Sequence, residues 1–183
     1  LGTNQFPNFN EKITAEFDGS LFESIDLTEE DAEVETLKPY RAAQAFEALR
    51  YTTDVYSKTN KRPLVFMLTI GNLAMRKARS QFSCNFFAVA GFIVIDNNGF
   101  DTVEAGVAAA KAAGADIVVL CSSDEEYAEL APKAADLLED EILVIAGAPA
   151  CQKELEENGI TNFISMKSNI LEELKSYQTL LNI

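Results

Sequence analysis

The sequence predicts an α/β domain whose centre is a five-stranded parallel sheet with helices on both faces. From residue 63 onward, short continuous apolar runs alternate five times with longer segments of helical periodicity. Continuous apolar strands are typical of parallel sheets, because such strands are buried on both faces. Strand-and-helix pairs joined by right-handed crossovers build a doubly wound sheet. We therefore predict a flavodoxin-like fold, preceded by an N-terminal extended arm and a helix.

The predicted strands are residues 64–68, 92–95, 116–120, 142–145 and 162–165. The first predicted helix spans residues 38–58. It has Pro39 in its first turn and Tyr40, Ala43, Phe46 and Leu49 at helical spacing. A second helix ends at Ala90-Gly91, and its predicted buried stripe is Met75, Ala78, Phe82, Phe86 and Val89.

Capping signals place the remaining helices. The third is predicted to start at residues 101–104 and to end at Gly114. Ser123 and Glu126 have the spacing of a capping box. The helix that follows should turn Tyr127, Leu130, Ala134 and Leu137 inward, with a kink at Pro132. A fifth helix spans about 149–159, and the last has Leu171, Leu174, Gln178 and Leu181 on one face.

Charge and composition exclude several function classes. The net charge is −14, and residues 1–37 hold ten acidic residues against Lys12 alone. Phosphate backbones would be repelled, so we expect no nucleic-acid partner. No apolar run is long enough to span a bilayer, and no signal peptide is recognised. Three widely spaced cysteines favour reduced thiols and a cytoplasmic location.

We predict two parts in the chain. Residues 1–60 form a linker arm and a helix, and residues 61–183 form the α/β domain. The arm has scattered apolar anchors and a stretch, residues 23–35, with seven carboxylates, which we interpret as solvated. Since there is no initiator Met, the chain resembles a trimmed piece of a longer protein.

The chain has no histidine, which removes imidazole from every candidate site. A Ser–His–Asp triad is excluded, and without a histidine base Cys151 is interpreted as a small semi-buried residue. One glycine in the first turn does not make a dinucleotide fingerprint. A phosphoryl-accepting receiver domain would fit Lys167, but the acids that such a site needs after the first and third strands are missing.

Ligands of such sheets bind at the carboxyl ends of the strands. The loops there are rich in small residues, which either admit a flat ligand or make tight turns. A basic cluster, Arg76, Lys77 and Arg79, lies near the start of the second helix. It either holds a phosphate or carboxylate, or forms a salt-bridge surface facing the acidic arm or a partner subunit.

Several segments resemble the methylmalonyl-CoA mutase family. The run KPYRAAQAFEALR at 38–50 is similar to a segment just before the cobalamin-binding domain of these enzymes. Other segments resemble the small (beta) subunit of the heterodimeric bacterial enzyme: RPLVF at 62–66, GNLA at 71–74, KAR at 77–79, FSCNFF at 82–87, CSSDE at 121–125 with Tyr127, and AGAP at 146–149. GTNQFP at 2–7 is similar to the segment where the catalytic barrel of the family ends.

The resemblance implies a heterodimer that interconverts methylmalonyl-CoA and succinyl-CoA in propionate metabolism, with a barrel domain preceding this chain. In the catalytic subunit, an Asp-x-His-x-x-Gly loop after the first strand ligates cobalt, and Ser-x-Leu and Gly-Gly turns house the nucleotide tail. Degenerate counterparts here are Gly71, Asn72, Ser122, Ser123, Gly147 and Ala148. The resemblance therefore predicts a structural module beside the catalytic large subunit, with adenosylcobalamin in that partner and neither catalytic residue, metal nor tight cobalamin binding here. The alternative is a module that binds cobalamin or a CoA-type anion weakly.

Overall fold

The computed structural model describes residues 41–183. Eleven elements follow one another: α1 Gln44–Tyr56, β1 Leu64–Thr69, α2 Leu73–Val89, β2 Ile93–Ile95, α3 Val103–Ala113, β3 Ile117–Cys121, α4 Tyr127–Leu137, β4 Ile142–Ala146, α5 Gln152–Glu157, β5 Phe163–Ile164 and α6 Ile170–Leu180. The predicted arm lies outside the described residues. No helix among residues 41–183 is both long and apolar enough to cross a membrane.

The five strands form one parallel sheet in the order β2-β1-β3-β4-β5. The register between the central strands pairs Thr69 at the end of β1 with Cys121 at the end of β3. From β1 the chain first adds β2 on one side and then adds β3, β4 and β5 on the other side. The switch point of the fold therefore lies between β1 and β3. The predicted flavodoxin-like doubly wound sheet is confirmed.

Helices cover the two faces of the sheet in two separate cores. One core joins α1, α2 and α6 to the sheet through Leu49, Phe87 and Leu174. The other joins α3, α4 and α5 through Val107, Ala131 and Leu155. Side chains of β1 alternate between the two cores, as successive residues of a strand must, and all six are buried.

The buried face of α2 differs from the predicted stripe. Met75 is 37% exposed and Ala78 is exposed, whereas the buried residues are Ser80, Ser83, Cys84, Phe86, Phe87 and Ala88. Two serines belong to this face, and hydrophobic periodicity does not count them. Ser83 donates to the Arg79 carbonyl at 2.8 Å, and Ser80 donates to Asp96, so their hydroxyls are satisfied when buried.

Helix α4 starts with half of the predicted capping box. The Glu126 carboxylate accepts the Ser123 N–H at 3.1 Å, but the Glu126 N–H donates to the Ser123 carbonyl rather than to the Ser123 hydroxyl. Tyr127 and Ala134 are buried as predicted. The prediction for Leu137 was wrong, because this residue ends the helix and is 37% exposed.

Helix α1 begins later than predicted and packs on α6. Ala43 and Phe46, two of the apolar residues at helical spacing, are exposed. The residues that α1 buries are Leu49 and Thr53. The Gln178 side chain donates to the Leu49 carbonyl at 2.8 Å and to the Thr53 hydroxyl at 2.9 Å. These bonds fix α1 against the last helix. Pro39 and Tyr40 lie outside the described residues.

Replacing Leu49 tests whether α1 is part of the domain's core. Leu49 is 4% exposed, so Leu49→Ala should lower the free energy of unfolding by about 2 to 5 kcal/mol through lost burial and a cavity. Val55 on the same helix is 43% exposed, and Val55→Ala should change it by less than about 0.5 kcal/mol. Urea unfolding of the two variants measures both effects. Equal effects would contradict the packing described here.

Candidate functional site

The six predicted site positions lie at the carboxyl edge of the sheet, in the loops that follow β1, β3 and β4. These strands are neighbours, so their loops adjoin. The first two loops are in direct contact, since the Ser122 Oγ atom lies 2.9 Å from the Ile70 carbonyl oxygen. Ser122 and Ser123 are buried, whereas Gly71, Asn72 and Ala148 are exposed.

The loops after β1 and β3, which we call the two central loops, both donate hydrogen bonds to the carboxylate of Glu126. Its Oε2 atom accepts hydrogen bonds from the Ser122 hydroxyl at 2.5 Å and the Ser123 hydroxyl at 2.8 Å. It also accepts the backbone N–H of Ser123 at 3.1 Å and of Asn72 at 3.3 Å. These bonds, above all the one from Ser122, lower the pKa of Glu126 to about 2.

Gly71 lies directly beneath this carboxylate. Its φ of +76° is in the left-handed region, and a Cβ atom there would collide with the Glu126 carboxylate. A side chain at position 71 is therefore disfavoured by the backbone conformation, and it would also displace the Glu126 carboxylate from its hydrogen bonds. The side chain of Glu126 fills the volume in which a larger residue after β1 would have to project.

The loop after β4 is covered by an ion pair. Arg79 Nη2 donates to Asp124 Oδ1 at 2.9 Å. A Cβ atom on Gly147 would lie 3.0 Å from Asp124 Oδ1 and 3.3 Å from Arg79 Cζ. The pair joins α2 to the turn after β3 and stands over Gly147.

Arg76 holds the loops after β1 and β2. Its guanidinium donates to the Gly71 carbonyl at 3.2 Å and to the Asn98 carbonyl at 3.0 Å, and it packs over Gly99. The predicted basic cluster is thus divided, since Arg76 binds backbone carbonyls and Arg79 binds Asp124. Lys77, the third member, is exposed.

The Tyr127 hydroxyl links the loop after β3 to the end of β4. It donates to the Ala146 carbonyl at 2.7 Å and accepts the Ser122 N–H at 3.1 Å. The residue is fully buried, and burial raises the pKa of its hydroxyl well above the usual range. Its inward position was predicted, but its bridging role was not. For Glu126, only the capping signal was visible in the sequence.

Two polar clefts flank Glu126 and Arg76. A cleft of about 460 Å³ lies at the switch point, and a cleft of about 360 Å³ lies beside it between the ends of β1 and β2. The first is lined by Ile70, Gly71, Arg76, Phe100, Asp101, Glu125, Glu126, Glu129 and Leu130. The second is lined by Thr69, Arg76, Lys77, Ser80, Gln81, Asp96, Asn97 and Asn98. Within residues 41–183, no group of acids and cysteines is arranged to hold a metal ion.

The thiols do not contribute a nucleophile to this edge. Cys84 and Cys121 are buried. Burial, with the nearby Asp96 charge, raises the pKa of Cys84 to about 12, and burial likewise raises the pKa of Cys121. Both thiols are therefore protonated at neutral pH. Cys151 is half-buried at the start of α5, as the sequence suggested.

Neutralising Glu126 should remove a pH-dependent part of the stability. The native pKa of about 2 lies below the ordinary 4.5, so the charged carboxylate stabilises the fold above pH 4.5. This contribution is lost as the pH falls toward 2. The difference in unfolding free energy between wild type and Glu126→Gln, measured with urea from pH 2 to 7, should be largest above pH 4.5 and should decrease as the pH falls toward 2. A difference that stays constant with pH would contradict the bonding described.

The chain was compared with protein families, curated proteins and solved structures. No family model matches. A cobalamin-binding protein from Desulfitobacterium hafniense DCB-2, solved by crystallography, aligns with 77% of this chain and 71% of its own at a TM-score of 0.46 and 24% identity.

Curated relatives give a much stronger match. The methylmalonyl-CoA mutase small subunit of Porphyromonas gingivalis is 56% identical over 97% of this chain, which spans 28% of that protein. The Streptomyces virginiae small subunit is 35% identical over 54% of this chain and 16% of its own length. A probable small subunit from Mycobacterium bovis is 36% identical over 48% of this chain and 14% of its own length. The resemblance predicted from the sequence is confirmed: this chain is homologous to a segment of the methylmalonyl-CoA mutase small subunit.

Proposed function

We propose that this chain is a non-catalytic, cobalamin-domain-like module of the small subunit of a heterodimeric, adenosylcobalamin-dependent methylmalonyl-CoA mutase. Its role is to stabilise the catalytic large subunit, which holds the cofactor and interconverts methylmalonyl-CoA and succinyl-CoA. The names and the near-complete coverage of this chain by the P. gingivalis relative support the assignment to the small subunit. We place the complex in the cytoplasm, without a nucleic-acid partner. Residues 1–60 would link residues 61–183 to a preceding barrel.

The observation that carries the proposal is the position of Glu126 above Gly71. A cobalt ligand would have to project from the loop after β1, as the histidine of the catalytic subunit does. Here the chain has no histidine, and the Glu126 carboxylate fills the space over that loop. Its oxygen already accepts hydrogen bonds from both central loops. The residues present do not fit a cobalt-binding role.

The loops for a nucleotide tail are similarly engaged with the chain itself. The Arg79–Asp124 ion pair stands over Gly147, where a ligand would need the bare backbone. The Ser122 hydroxyl already donates to Glu126, and its oxygen lies 2.9 Å from the Ile70 carbonyl oxygen. A ligand would have to break an ion pair and strip buried hydroxyls of their partners, and unpaired buried polar groups are costly. These contacts support the proposal of no tight cobalamin binding.

A structural role agrees with an edge whose loops are held by their own side chains. Glu126 joins the loops after β1 and β3, Arg76 joins those after β1 and β2, and the Arg79–Asp124 pair covers the loop after β4. Such an edge needs no ligand to be ordered. It can serve as a rigid surface for a neighbouring subunit or domain.

The alternative is a module that retains weak affinity for cobalamin or for a CoA-type anion. An anion at the basic cluster would compete with the contacts that Arg76 and Arg79 already make. Lys77 is the member left exposed, so it is the residue whose change separates the two hypotheses.

A cobalamin titration tests the proposal. Hydroxocobalamin added to this chain alone should give no stoichiometric base-off spectrum at micromolar concentration, because no ligand or open tail groove receives it. The isolated large subunit is the positive control. A tight, stoichiometric base-off spectrum with this chain would contradict the proposal.

Association with the large subunit is measured in parallel. In the structural hypothesis, Lys77→Glu does not change the affinity of the chain for coenzyme A, and any effect appears in subunit association. A loss of coenzyme A affinity with unchanged association would favour the alternative. Lys175→Glu, on α6 at a solvent-exposed i, i+3 pair, is the matched charge control.

A further inference from the structure

The loops after β1 and β3 present four hydrogen-bond donors to one point. These donors are the backbone N–H groups of Asn72 and Ser123 and the hydroxyls of Ser122 and Ser123, and all four reach the same oxygen of Glu126 at 2.5 to 3.3 Å. Convergent N–H and O–H donors are the usual way in which a protein binds an anionic oxygen. We define these four donors as the carboxylate niche.

The niche is positioned by the sheet rather than by Glu126. Ser122 directly follows β3, and Ile70 follows β1, where the register pairs Thr69 with Cys121. Ser122 is fully buried, its N–H is fixed by the Tyr127 hydroxyl, and its Oγ atom also lies 2.9 Å from the Ile70 carbonyl oxygen. These supports do not involve the Glu126 side chain, so the donors should stay in place when it is removed.

We propose that the carboxylate niche is an anion-binding site for a single carboxylate group, and that Glu126 is its built-in occupant. The site excludes external carboxylates only because Glu126 is covalently attached and therefore present at a high local concentration. This inference does not depend on the role proposed above, because it concerns the chemistry of the niche and not the mutase complex.

Nearby charges limit the affinity for an external anion. Asp101, Glu125 and Glu129 line the cleft beside the niche and repel anions, while the Arg76 guanidinium in the same cleft attracts them. Small carboxylates, formate and acetate, should therefore bind an emptied niche weakly, with a Kd on the order of 10 mM, a value typical of a few hydrogen bonds to a small ligand.

Chemical rescue tests the proposal. In the 183-residue chain, Glu126→Ala should lower the midpoint of urea unfolding, and sodium acetate or formate should restore it. At acetate ten times above its Kd, the folding equilibrium constant should rise about elevenfold. Sodium chloride at equal ionic strength is the salt control, and trimethylacetate is a carboxylate too bulky for the emptied space.

The matched control variant is Glu126→Gln, in which an amide of the same shape keeps the niche filled, so acetate should not stabilise it beyond chloride. If Glu126→Ala does not fold in buffer alone, the refolded fraction is measured against acetate concentration instead. Equal responses of Glu126→Ala and Glu126→Gln to acetate would overturn the proposal. So would a Glu126→Ala variant that acetate rescues no better than chloride does in either measurement.

Discussion

At the carboxyl edge of this domain, the loops after β1 and β3 meet at one oxygen atom, Oε2 of Glu126, which four donors surround. The donors come from the ends of β1 and β3, the two strands at the switch point of the sheet. Each parallel strand is followed by a loop at this edge, and the backbone N–H groups of these loops need hydrogen-bond acceptors. In many doubly wound proteins a ligand supplies these partners. Here a side chain from the turn before α4 does so.

The three consecutive acids before α4 have different environments. Asp124 pairs with Arg79 over Gly147, Glu125 is exposed, and Glu126 receives backbone and hydroxyl donors over Gly71. Arg79 compensates the charge of Asp124, and hydrogen-bond donors compensate that of Glu126. Two carboxylates can therefore lie among the loops of a strongly acidic chain. A few polar contacts thus hold the loops at this edge, and the function of such an edge is determined by the site and not by the fold.

The five-stranded sheet was predictable because its strands are continuous apolar runs separated by clear helix signals. The buried face of α2 was not, because Ser80 and Ser83 belong to it and hydrophobic periodicity ignores serine. The candidate loops follow β1, β3 and β4, where the sequence placed them. The sequence did not indicate that Glu126 and the Arg79–Asp124 pair occupy the space over these loops. The Ser123–Glu126 spacing indicated a local cap, whereas the contact of Glu126 with Asn72 spans 54 positions and the Arg79–Asp124 pair spans 45. Such contacts arise from tertiary structure, and the sequence around each of these residues does not indicate its distant partner.

The arrangement of this edge requires an ionised, multiply hydrogen-bonded Glu126 carboxylate over Gly71. The most direct measurement is a carbon-13 NMR titration of the glutamate side-chain carboxyls, with the Glu126 signal assigned by comparison with Glu126→Gln. This carboxyl should titrate with a pKa of about 2. A pKa near the ordinary 4.5 would mean that the carboxylate is free in solvent rather than bonded to the four donors.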